Sequence, residues 1–509
     1  LTALNVLEGI KMPLSPKQLQ ILEKMRSAQK VIIQSKEEEL PPDPETVPPV
    51  KSKKPSWSHQ ETAYRLAYHR NSFAFFMEMG TGKSKVAVDL IVNKGFKLSV
   101  IFTVKSAVDS VWPGEFEKYA AEPVQVLHLK FNKTAVEKVK IAKKFLEEAK
   151  STGGAAVLVM NYELGIQPAM KSFLMGLPID AVFCDESQKI QAPGGKASQF
   201  LYHLGKRVHY RYLLTGTPFP SSPLSIYGQY RFMEPNIFGT SFNAFKYQYA
   251  DFDEFGVTEY KNFDDLNKKI YSRAYRVKSA DVLDLPPLQT IERAFELSDK
   301  AQAAYMSMAR TFLAKLDKGE IRTSNVLSRG LRFQQLTSGW LPVETEQGRE
   351  LERVDFGKEE ILTELLEGVE DEEPFVIFCR FTHDLDIVHK VSLKLGRKSL
   401  ELSGRENQLD QWKAGAAPVL AVQIQAGGAG IDLTRAHYVC YYSIGYIQPA
   451  TYEQSLFRAY RPGQRQSVTI YHIVAKNTID RKIMYNLAHK LQINEEVLTY
   501  HLREVVTGK

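Results

Sequence analysis

A short polar segment combines the residue types that bind nucleotide phosphates. It reads Glu78-Met79-Gly80-Thr81-Gly82-Lys83-Ser84 and lies between the apolar run 73–77 and the helix-like stretch 85–91. The glycines let backbone N–H groups approach phosphate oxygens, Lys83 places a positive charge near the β and γ phosphates, and Ser84 can ligate Mg²⁺. Met77 occupies the place of the first glycine of the full pattern. This segment alone is therefore also compatible with a glycine turn that binds no nucleotide.

Two adjacent acids follow another apolar run. The run 181–184 predicts a buried strand, and Asp185 and Glu186 come directly after it. In this position Asp185 can hold Mg²⁺, directly or through water, and Glu186 can orient and deprotonate an attacking water. The alternative is an acidic surface turn. The phosphate-binding pattern upstream favours the catalytic interpretation.

Three polar residues in the last part of the chain fall at helical spacing. Thr451 is a suitable helix cap, and Pro462-Gly463 is expected to end the helix. Gln454, Arg458 and Arg461 lie at i, i+4 and i+7, so a helix would point all three the same way. Two guanidinium groups on one face indicate either a solvated surface or arginine fingers that bind phosphate.

Short apolar runs alternate with helix-like segments along most of the chain, which predicts parallel sheets covered by helices. The first series of predicted strands is 98–103, 156–160, 181–184 and 211–214. The second series is 375–378, 418–422, 437–442 and 468–474. Between them a helix is expected over 298–316, with an apolar stripe formed by Tyr305, Met308, Phe312 and Leu316. The predicted fold class is α/β, with two parallel-sheet domains and a helical connecting segment.

The expected domain limits follow from these series. They are an N-terminal extension and linker over 1–54, a first, nucleotide-binding domain over 55–285, a helical connecting segment over 286–350, and a second domain with C-terminal helices over 351–509. Clustered prolines mark the linker as extended. The basic residues Lys51, Lys53 and Lys54 at its end indicate a solvated tail in preference to a DNA-binding arm.

The composition is that of an ordinary globular protein. The 509 residues are 44% hydrophobic and 25% charged, and the net charge of +7 permits nucleic-acid binding without requiring it. Cys184, Cys379 and Cys440 form no C-x-x-C pair and are expected to be buried, reduced core residues of an intracellular protein. No apolar run approaches the ~20 residues that a membrane span needs, so no membrane partner is expected. The sequence starts at Leu1 and not at Met, so whether residues precede it is an open question.

The ordered motifs together resemble superfamily 2 helicase/translocase motors, and within them the Swi/Snf-type double-stranded DNA translocases. The resemblance covers most of the chain, from Trp57 to Ile483. Within the family, the chain resembles a compact bacterial or viral member. Its most specific part is 454–464, which contains both arginines and closes with Gly463-Gln464. The other matching segments are 58–60, 102–106, 111–116, 160–163, 276–287 and 425–434.

The resemblance implies two RecA-like domains with ATP and Mg²⁺ between them, and it implies roles for individual residues. The catalytic residues would be Lys83, Asp185, Glu186, Gln188, Arg458 and Arg461. The nucleotide-binding residues would be Gln60, Gly80, Thr81, Gly82, Lys83, Ser84, Gly430, Asp432 and Gln454, with Ser84 and Asp185 as Mg²⁺ ligands. The DNA-backbone contacts would be Thr103, Lys105, Asn161, Arg380, Gln425, Gly427 and Gly428.

Three features depart from the family pattern. Gln188 stands where relatives usually carry His, and Val104 stands where they usually carry Pro. An amide does not titrate near neutral pH, so Gln188 is expected to couple nucleotide state to movement by contacting Thr215 or Gln454. The span 219–297 is short compared with the helical insertions of chromatin remodellers.

The resemblance implies a DNA-dependent ATPase that moves along duplex DNA. Backbone contacts carry no base information, so binding is expected to be largely independent of sequence. Two alternatives stay open: a strand-separating or branch-migrating helicase, and a nucleotide-gated DNA clamp without turnover. A separate protein partner is expected to supply specificity. The expected location is the cytoplasm of a bacterial or virus-infected cell, or the nucleus of a eukaryote.

Overall fold

A computed structural model describes residues 46–105, 107–129, 132–220, 222–253, 256–317, 326–345, 348–425, 431–445, 449–488, 502–503 and 506. Contacts divide the chain into two compact units, with the boundary between Leu283 and Asp284. Each unit contains one large parallel sheet accompanied by helices. The prediction of an α/β fold with two parallel-sheet domains is confirmed.

The first unit contains a seven-stranded parallel sheet and a small hairpin. The strands are β1 (Ser72–Met77), β2 (Leu98–Thr103), β3 (Val124–His128), β4 (Ala155–Asn161), β5 (Ala181–Asp185), β6 (Tyr210–Leu214), β7 (Ala250–Asp253), β8 (Gly256–Tyr260) and β9 (Ala274–Val277). The order in the large sheet is β3-β4-β2-β5-β6-β1-β9, and β7 pairs with β8 in an antiparallel hairpin.

Helices connect these strands. They are α1 (Ser58–Tyr68), α2 (Lys83–Asn93), α3 (Ala107–Ser110), α4 (Trp112–Tyr119), α5 (Ala135–Thr152), α6 (Tyr162–Gly165), α7 (Pro168–Met175), α8 (Lys196–Gly205), α9 (Ile226–Met233), α10 (Pro235–Phe238), α11 (Phe242–Tyr249), α12 (Phe263–Tyr271) and α13 (Ser279–Val282). Two short 3₁₀ turns lie at Ser187–Ile190 and Pro223–Ser225.

The central strands of the first sheet are buried on both faces. In β1, Phe73, Phe75 and Met77 belong to one hydrophobic core, whereas Ala74 and Phe76 belong to the other. This two-sided burial explains why the strand sequences are continuous apolar runs. Because all seven strands are parallel, their carboxyl ends meet at one side of the sheet, called the carboxyl edge below.

The second unit contains a six-stranded parallel sheet and a second hairpin. Its strands are β10 (Leu288–Phe295), β11 (Trp340–Thr345), β12 (Gly348–Arg353), β13 (Phe375–Cys379), β14 (Ser399–Leu402), β15 (Val419–Gln423), β16 (Tyr438–Tyr441) and β17 (Val468–Ala475). The sheet order is β10-β17-β16-β13-β15-β14, and β11 pairs with β12. The helices are α14 (Asp299–Asp317), α15 (Val326–Thr337), α16 (Gly357–Glu367), α17 (Thr382–Lys394), α18 (Leu409–Lys413), α19 (Pro449–Ala459) and α20 (Ile479–Ala488).

Every strand predicted from an apolar run is present, with ends that differ by at most one residue. Four strands of the two large sheets were not predicted: β3, β9, β10 and β14. All four are edge strands of their sheets and contain half-buried residues, so their sequences lack a continuous apolar run. The segment 286–350, expected to be a helical connector, contains β10 and β11 as well as α14 and α15. It is therefore only partly helical.

Residues 46–57 pack against the first unit. Val47 is buried, and Ser52 forms an antiparallel bridge with Ala120. The side-chain amide of Asn93 exchanges two hydrogen bonds with the backbone of Lys51, at 2.8 and 3.0 Å. The backbone N–H of Lys53 donates to the Tyr119 carbonyl at 3.0 Å. The side chains of Lys51, Lys53 and Lys54 are exposed, as expected of a solvated surface. The stretch is not a free tail, because its extended backbone has partners on α2 and α4.

The three cysteines are buried and free, as expected from their apolar surroundings. Burial raises the pKa of the Cys184, Cys379 and Cys440 thiols, which keeps them protonated at neutral pH. Throughout the part of the chain that the structure describes, none of the helices is both long and apolar enough to cross a membrane.

Candidate active site

The phosphate-binding segment forms a turn between β1 and α2. Gly80 and Gly82 have φ angles of 77° and 86°, which lie in the left-handed region. At Gly82 a Cβ atom would come within 2.2 Å of Gln60 Nε2, so both the backbone conformation and the space require glycine. α2 begins at Lys83, immediately after this turn. A left-handed turn at a helix N-terminus is the backbone arrangement that binds anions.

The segment 58–60, which contains the predicted nucleotide-binding residue Gln60, contacts this turn directly. Gln60 Nε2 donates to the Thr81 carbonyl at 3.0 Å, and His59 Nε2 lies 2.8 Å from the same oxygen. Gln60 Oε1 accepts the backbone N–H of Trp57 at 3.0 Å. Thr81 itself is buried and donates through its hydroxyl to the Glu78 carbonyl at 2.7 Å. The start of α1 and the phosphate-binding turn are thus held together by hydrogen bonds.

Asp185 occupies the carboxyl end of β5 and is surrounded by donors. Its Oδ2 accepts the Thr103 hydroxyl at 2.8 Å and the Trp112 indole N–H at 3.2 Å, while its Oδ1 accepts the backbone N–H of Glu186 at 3.0 Å. Burial, and after it the charge of Glu186, raise the pKa of Asp185, whereas Lys83 acts in the opposite direction. A buried carboxylate in this state is stabilised by an added cation.

A row of hydrogen bonds runs from Glu186 to the end of β6. Gln188 Nε2 donates to Glu186 Oε2 at 2.7 Å, and Gln188 Oε1 accepts the Thr215 hydroxyl at 2.7 Å. Thr215 Oγ1 in turn accepts the backbone N–H of Thr217 at 2.9 Å. Glu186 has φ 51°, a left-handed conformation that costs a non-glycine residue about 1–3 kcal/mol. The expected contact between Gln188 and Thr215 is present in the structure.

Two residues that hold these loops were missed from the sequence. Gln229, fully buried on α9, accepts the Ser187 hydroxyl at 2.7 Å and donates to the Pro218 carbonyl at 2.8 Å. The backbone N–H and hydroxyl of Ser279 donate to Glu78 Oε2 at 3.0 and 2.9 Å. Both are distant in sequence from their partners, and an isolated Gln or Ser gives no signal by itself.

The residues present fit a nucleotide with Mg²⁺. Ser84 follows the glycine turn, and the buried Asp185 carboxylate lies close enough to Lys83 for their charges to interact. Among the described residues, no group of three or more His, Cys, Asp or Glu side chains could hold a metal. Mg²⁺ on a nucleotide uses one or two protein oxygens together with phosphate oxygens and water.

In the second unit, Gln464 connects the segment around Asp432 to the end of α19. Its Nε2 donates to the carbonyls of Thr434, Ala436 and Ala459 at 3.1, 3.0 and 3.3 Å. Asp432 Oδ1 accepts the backbone N–H and the hydroxyl of Thr434 at 2.9 and 2.7 Å. Burial raises the pKa of Asp432, but the two hydrogen bonds from Thr434 and the charge of Arg461 outweigh it, so the pKa is lowered. The structure therefore brings Asp432 and Arg461 into one cluster.

The helix that carries Gln454 and Arg458 begins and ends earlier in the sequence than predicted. α19 starts at Pro449, so Thr451 lies within its first turn and does not cap it. It ends at Ala459, which places Arg461 in the following turn and not on the same helical face as Gln454 and Arg458. The local reason is the Pro462-Gly463 pair, which prevents the helix from continuing. Arg458 is buried, and its backbone carbonyl accepts the N–H of Leu433 at 2.9 Å.

The predicted DNA contacts differ in exposure. Lys105 is exposed, Asn161 is half-buried with its Nδ2 donating to Glu163 Oε2 at 2.7 Å, and Gln425 is exposed. Thr103 is fully buried and its hydroxyl donates to Asp185, so the prediction that this side chain contacts DNA does not fit the structure. The residues Gly427, Gly428 and Gly430 lie outside the described residues.

Arg380 follows the carboxyl end of β13 and is positioned by its neighbours. Its backbone N–H donates to the Ser443 hydroxyl at 2.7 Å, and that hydroxyl donates to the buried Asp384 carboxylate. Gly445, with φ 78°, lies directly against the Arg380 side chain, where a Cβ would come within 2.5 Å of Arg380 Cδ. Burial lowers the pKa of this guanidinium. A bulkier residue at position 445 would therefore displace Arg380.

Comparisons with known proteins assign the family. Residues 18–338 match the model of the SNF2-related domain, and residues 357–463 match that of the helicase conserved C-terminal domain. The first match alone covers more than half of the chain. The protein therefore belongs to the SNF2-related family, which is a family of ATPases.

Several curated relatives show the same relationship at low identity. An "Uncharacterized ATP-dependent helicase" of Mycoplasma pneumoniae is 24% identical over 83% of this chain and 40% of its own length. A "Putative protein p41" of Acyrthosiphon pisum secondary endosymbiont phage 1 is 23% identical over 82% of this chain and 93% of its own length. The mouse "Chromodomain-helicase-DNA-binding protein 1-like" is 23% identical, and the match covers 47% of it. The chain thus spans less than half of two of these three relatives.

Among solved structures, the Sulfolobus solfataricus SWI2/SNF2 ATPase core in complex with dsDNA is similar to this chain. It is 19% identical, with a TM-score of 0.42, and the alignment covers 89% of this chain and 95% of that one.

Proposed function

We propose that this chain is an ATP-driven translocase that moves along double-stranded DNA. The observation that supports it most is the hydrogen-bonded row Glu186–Gln188–Thr215 beside Asp185, at the same carboxyl edge as the phosphate-binding turn. The row contains the carboxylate that would activate water and a polar connection leading away from it. Such a connection is expected of an enzyme whose hydrolysis is coupled to movement.

Each site residue of the first unit has a defined role in this proposal. The backbone of the turn around Gly80 and Gly82 binds phosphate oxygens, and Lys83 neutralises charge on the β and γ phosphates. Ser84 and Asp185 would hold Mg²⁺, which supplies electrostatic stabilisation of the transferred phosphate when bound. Glu186 orients a water and accepts its proton, while Gln188 fixes the position of the Glu186 carboxylate through their 2.7 Å hydrogen bond. Gln60 would contact the adenine.

The second unit supplies the remaining nucleotide contacts. Arg458 and Arg461 would stabilise the negative charge that spreads over the phosphate oxygens during transfer, because guanidinium geometry matches phosphate. Gln454, Gly430 and Asp432 would complete the nucleotide site. The cluster around Gln464 supports this assignment, since it fixes the backbone on both sides of Arg461.

DNA would be bound through its backbone. Lys105 and Asn161 of the first unit and Arg380 of the second are the described candidates, together with the segment that contains Gln425, Gly427 and Gly428. Contacts to phosphate give little sequence preference, so a separate protein partner would direct the enzyme to its sites. The site of action stays a prediction: the cytoplasm, or the nucleus in a eukaryote.

Duplex DNA should stimulate the ATPase at least as strongly as an equal mass of single strand. The stimulation should fall steeply with salt, because phosphate contacts release counterions. Six contacts would lower affinity roughly a thousandfold between about 50 and 200 mM salt. Movement should be seen as ATP-dependent displacement of a third strand wound on the duplex, without separation of the duplex. ATPase and strand-displacement assays on one preparation measure both quantities.

The alternatives predict different results in the same assays. A strand-separating helicase would unwind tailed duplexes and would respond weakly to blunt ones. Efficient unwinding with no third-strand displacement would contradict the translocase and leave the ATPase assignment intact. A nucleotide-gated clamp would bind DNA but show no turnover with any substrate.

Gln188→Ala should retain ATP binding and lose part of the stimulation by DNA. The substitution removes both the donor to Glu186 and the acceptor for Thr215, and so interrupts the row without removing a charge. ATP turnover with and without duplex measures the effect. Gln199→Ala, on the exposed surface of α8, is the matched control. An equal loss with and without DNA would place Gln188 in the chemical step and contradict a coupling role.

A further inference from the structure

One half of the carboxyl edge of the first sheet meets the nucleotide site only at Thr103, which donates to Asp185. The phosphate-binding turn, Asp185 and Thr215 follow β1, β5 and β6, which are neighbours in the sheet. On the other side lie β2, β4 and β3, where Thr103 pairs with Asn161 across β2 and β4. The N–H of Leu129 extends the β3 ladder by donating to the Val159 carbonyl at 2.9 Å. Lys105, Asn161 and the start of α5 therefore emerge at neighbouring points of this edge.

The orientation of α5 determines where its first lysines lie. Ala142, Leu146 and Ala149 are its buried residues, so this face of the helix packs toward the sheet. Lys138 is four residues before Ala142 and therefore lies on the same face. A helix that follows a parallel strand starts at the carboxyl edge and runs back along the sheet. Lys138 thus lies at the edge itself, whereas Lys144 lies two turns further along the helix.

The charges around this position are strongly biased. Lys133 and Lys140, five and two residues from Lys138 in sequence, are exposed, and so is Lys105 just after the end of β2. Burial, and after it the charge of Lys105, lower the pKa of Lys138. The acids of this region are already engaged. Glu137 accepts the backbone N–H and hydroxyl of Thr134 at 2.8 Å each, and Glu163 accepts from Asn161.

We propose that Lys138, with Lys133 and Lys140, extends the DNA-binding surface from Lys105 and Asn161 onto α5, and that it binds a phosphate of the duplex backbone. Like charges brought together at a sheet edge are stabilised by an anionic ligand with regularly spaced charges, and duplex DNA has this property. The inference rests on the proposed function and adds contacts to it. In this proposal Lys138 contacts the DNA backbone between the contacts made after the end of β2 and those made by the rest of α5.

The test compares Lys138→Ala with Lys144→Ala, which removes the same charge from the same helix. Lys144 forms an exposed ion pair with Glu148 at 3.7 Å, far from the edge. Binding of a fluorescently labelled blunt duplex is measured by anisotropy at several salt concentrations. Lys138→Ala should weaken binding and reduce the slope of log affinity against log salt by about 0.9, the value for one phosphate contact. Its deficit relative to the parent should shrink roughly threefold between about 50 and 200 mM salt.

The outcomes separate this inference from the function on which it rests. Lys138→Arg should keep the parental slope, because it keeps the charge. If the parental protein binds duplex with a salt-dependent affinity and Lys138→Ala behaves as Lys144→Ala does, the α5 surface is wrong and the translocase proposal stands. If the parental protein shows no duplex binding at any salt concentration, both are overturned. The thermal midpoints of all variants, measured in parallel, verify that each is folded.

Discussion

Glu186→Gln should bind ATP about as well as the parental protein and hydrolyse it at least about a hundredfold more slowly, since a general base contributes 10²–10⁴-fold. The substitution removes only the carboxylate that would accept the proton of water. Asp185, with its donors Thr103 and Trp112, remains in place to hold Mg²⁺. The side chain of residue 186 also keeps an oxygen that can accept from Gln188. The variant therefore removes the general base while the residues that would bind ATP and Mg²⁺ remain.

Two further variants sharpen this prediction. Lys83→Ala should weaken nucleotide binding and turnover together, because in the proposed site its charge would contact the phosphates in every bound state. Glu147→Gln, on the exposed surface of α5, is a control for the charge change. Binding of a fluorescent ATP analogue and phosphate release are measured on the same samples. Turnover near the parental rate in Glu186→Gln would mean that another group activates water and that the assignment of Glu186 is wrong.

The parts of the fold that the sequence predicts are those with buried strands. β1, β2, β5 and β13 are buried along their length, so each appears in the sequence as a short, mainly apolar run. The phosphate-binding turn is predictable for a different reason. Its glycines adopt left-handed conformations that side chains disfavour, so the requirement is visible in the residue types themselves.

The sequence does not predict contacts that depend on distant parts of the chain. Gln229 and Ser279 hold the site together, yet each is joined to its partners only by folding. β10 was missed because it is an edge strand whose residues are half-buried and mixed in polarity. The backbone of 46–54 is assigned to a linker on its prolines, but its hydrogen bonds to Asn93 and Tyr119 are tertiary.

Thr103 shows how a motif can be recognised and its residue roles still be misassigned. The segment 102–106 resembles a DNA-contacting motif, and Lys105 at its exposed end fits that role. Its first hydroxyl residue faces inward, because β2 and β5 are adjacent and Thr103 ends its strand beside Asp185. Sequence spacing alone does not distinguish the two directions. The same segment therefore serves both the acidic site and the outer edge of the sheet.

Arg458→Ala and Arg461→Ala should each lower ATP turnover by about 10³–10⁵, the range for arginine fingers in phosphoryl transfer. ATP affinity should change far less, since a finger acts mainly on charge that develops during transfer. Arg458 is buried, so its truncation can also destabilise the second unit. Arg458→Lys resolves this point, because it keeps the positive charge and most of the volume but loses the planar fork that matches phosphate.

Arg465 supplies the matched control for both arginines. It is exposed, follows directly after the turn that begins at Arg461, and contributes its backbone N–H to Gln464 Oε1 at 2.9 Å, a contact that Arg465→Ala retains. Steady-state turnover and nucleotide affinity are measured for all four variants, with thermal midpoints as the measure of folding. A finger role requires that Arg461→Ala and Arg458→Lys lose turnover while Arg465→Ala does not. Normal turnover in Arg458→Ala and Arg461→Ala would mean that the cluster around Asp432 and Gln464 stabilises the second unit and takes no part in hydrolysis.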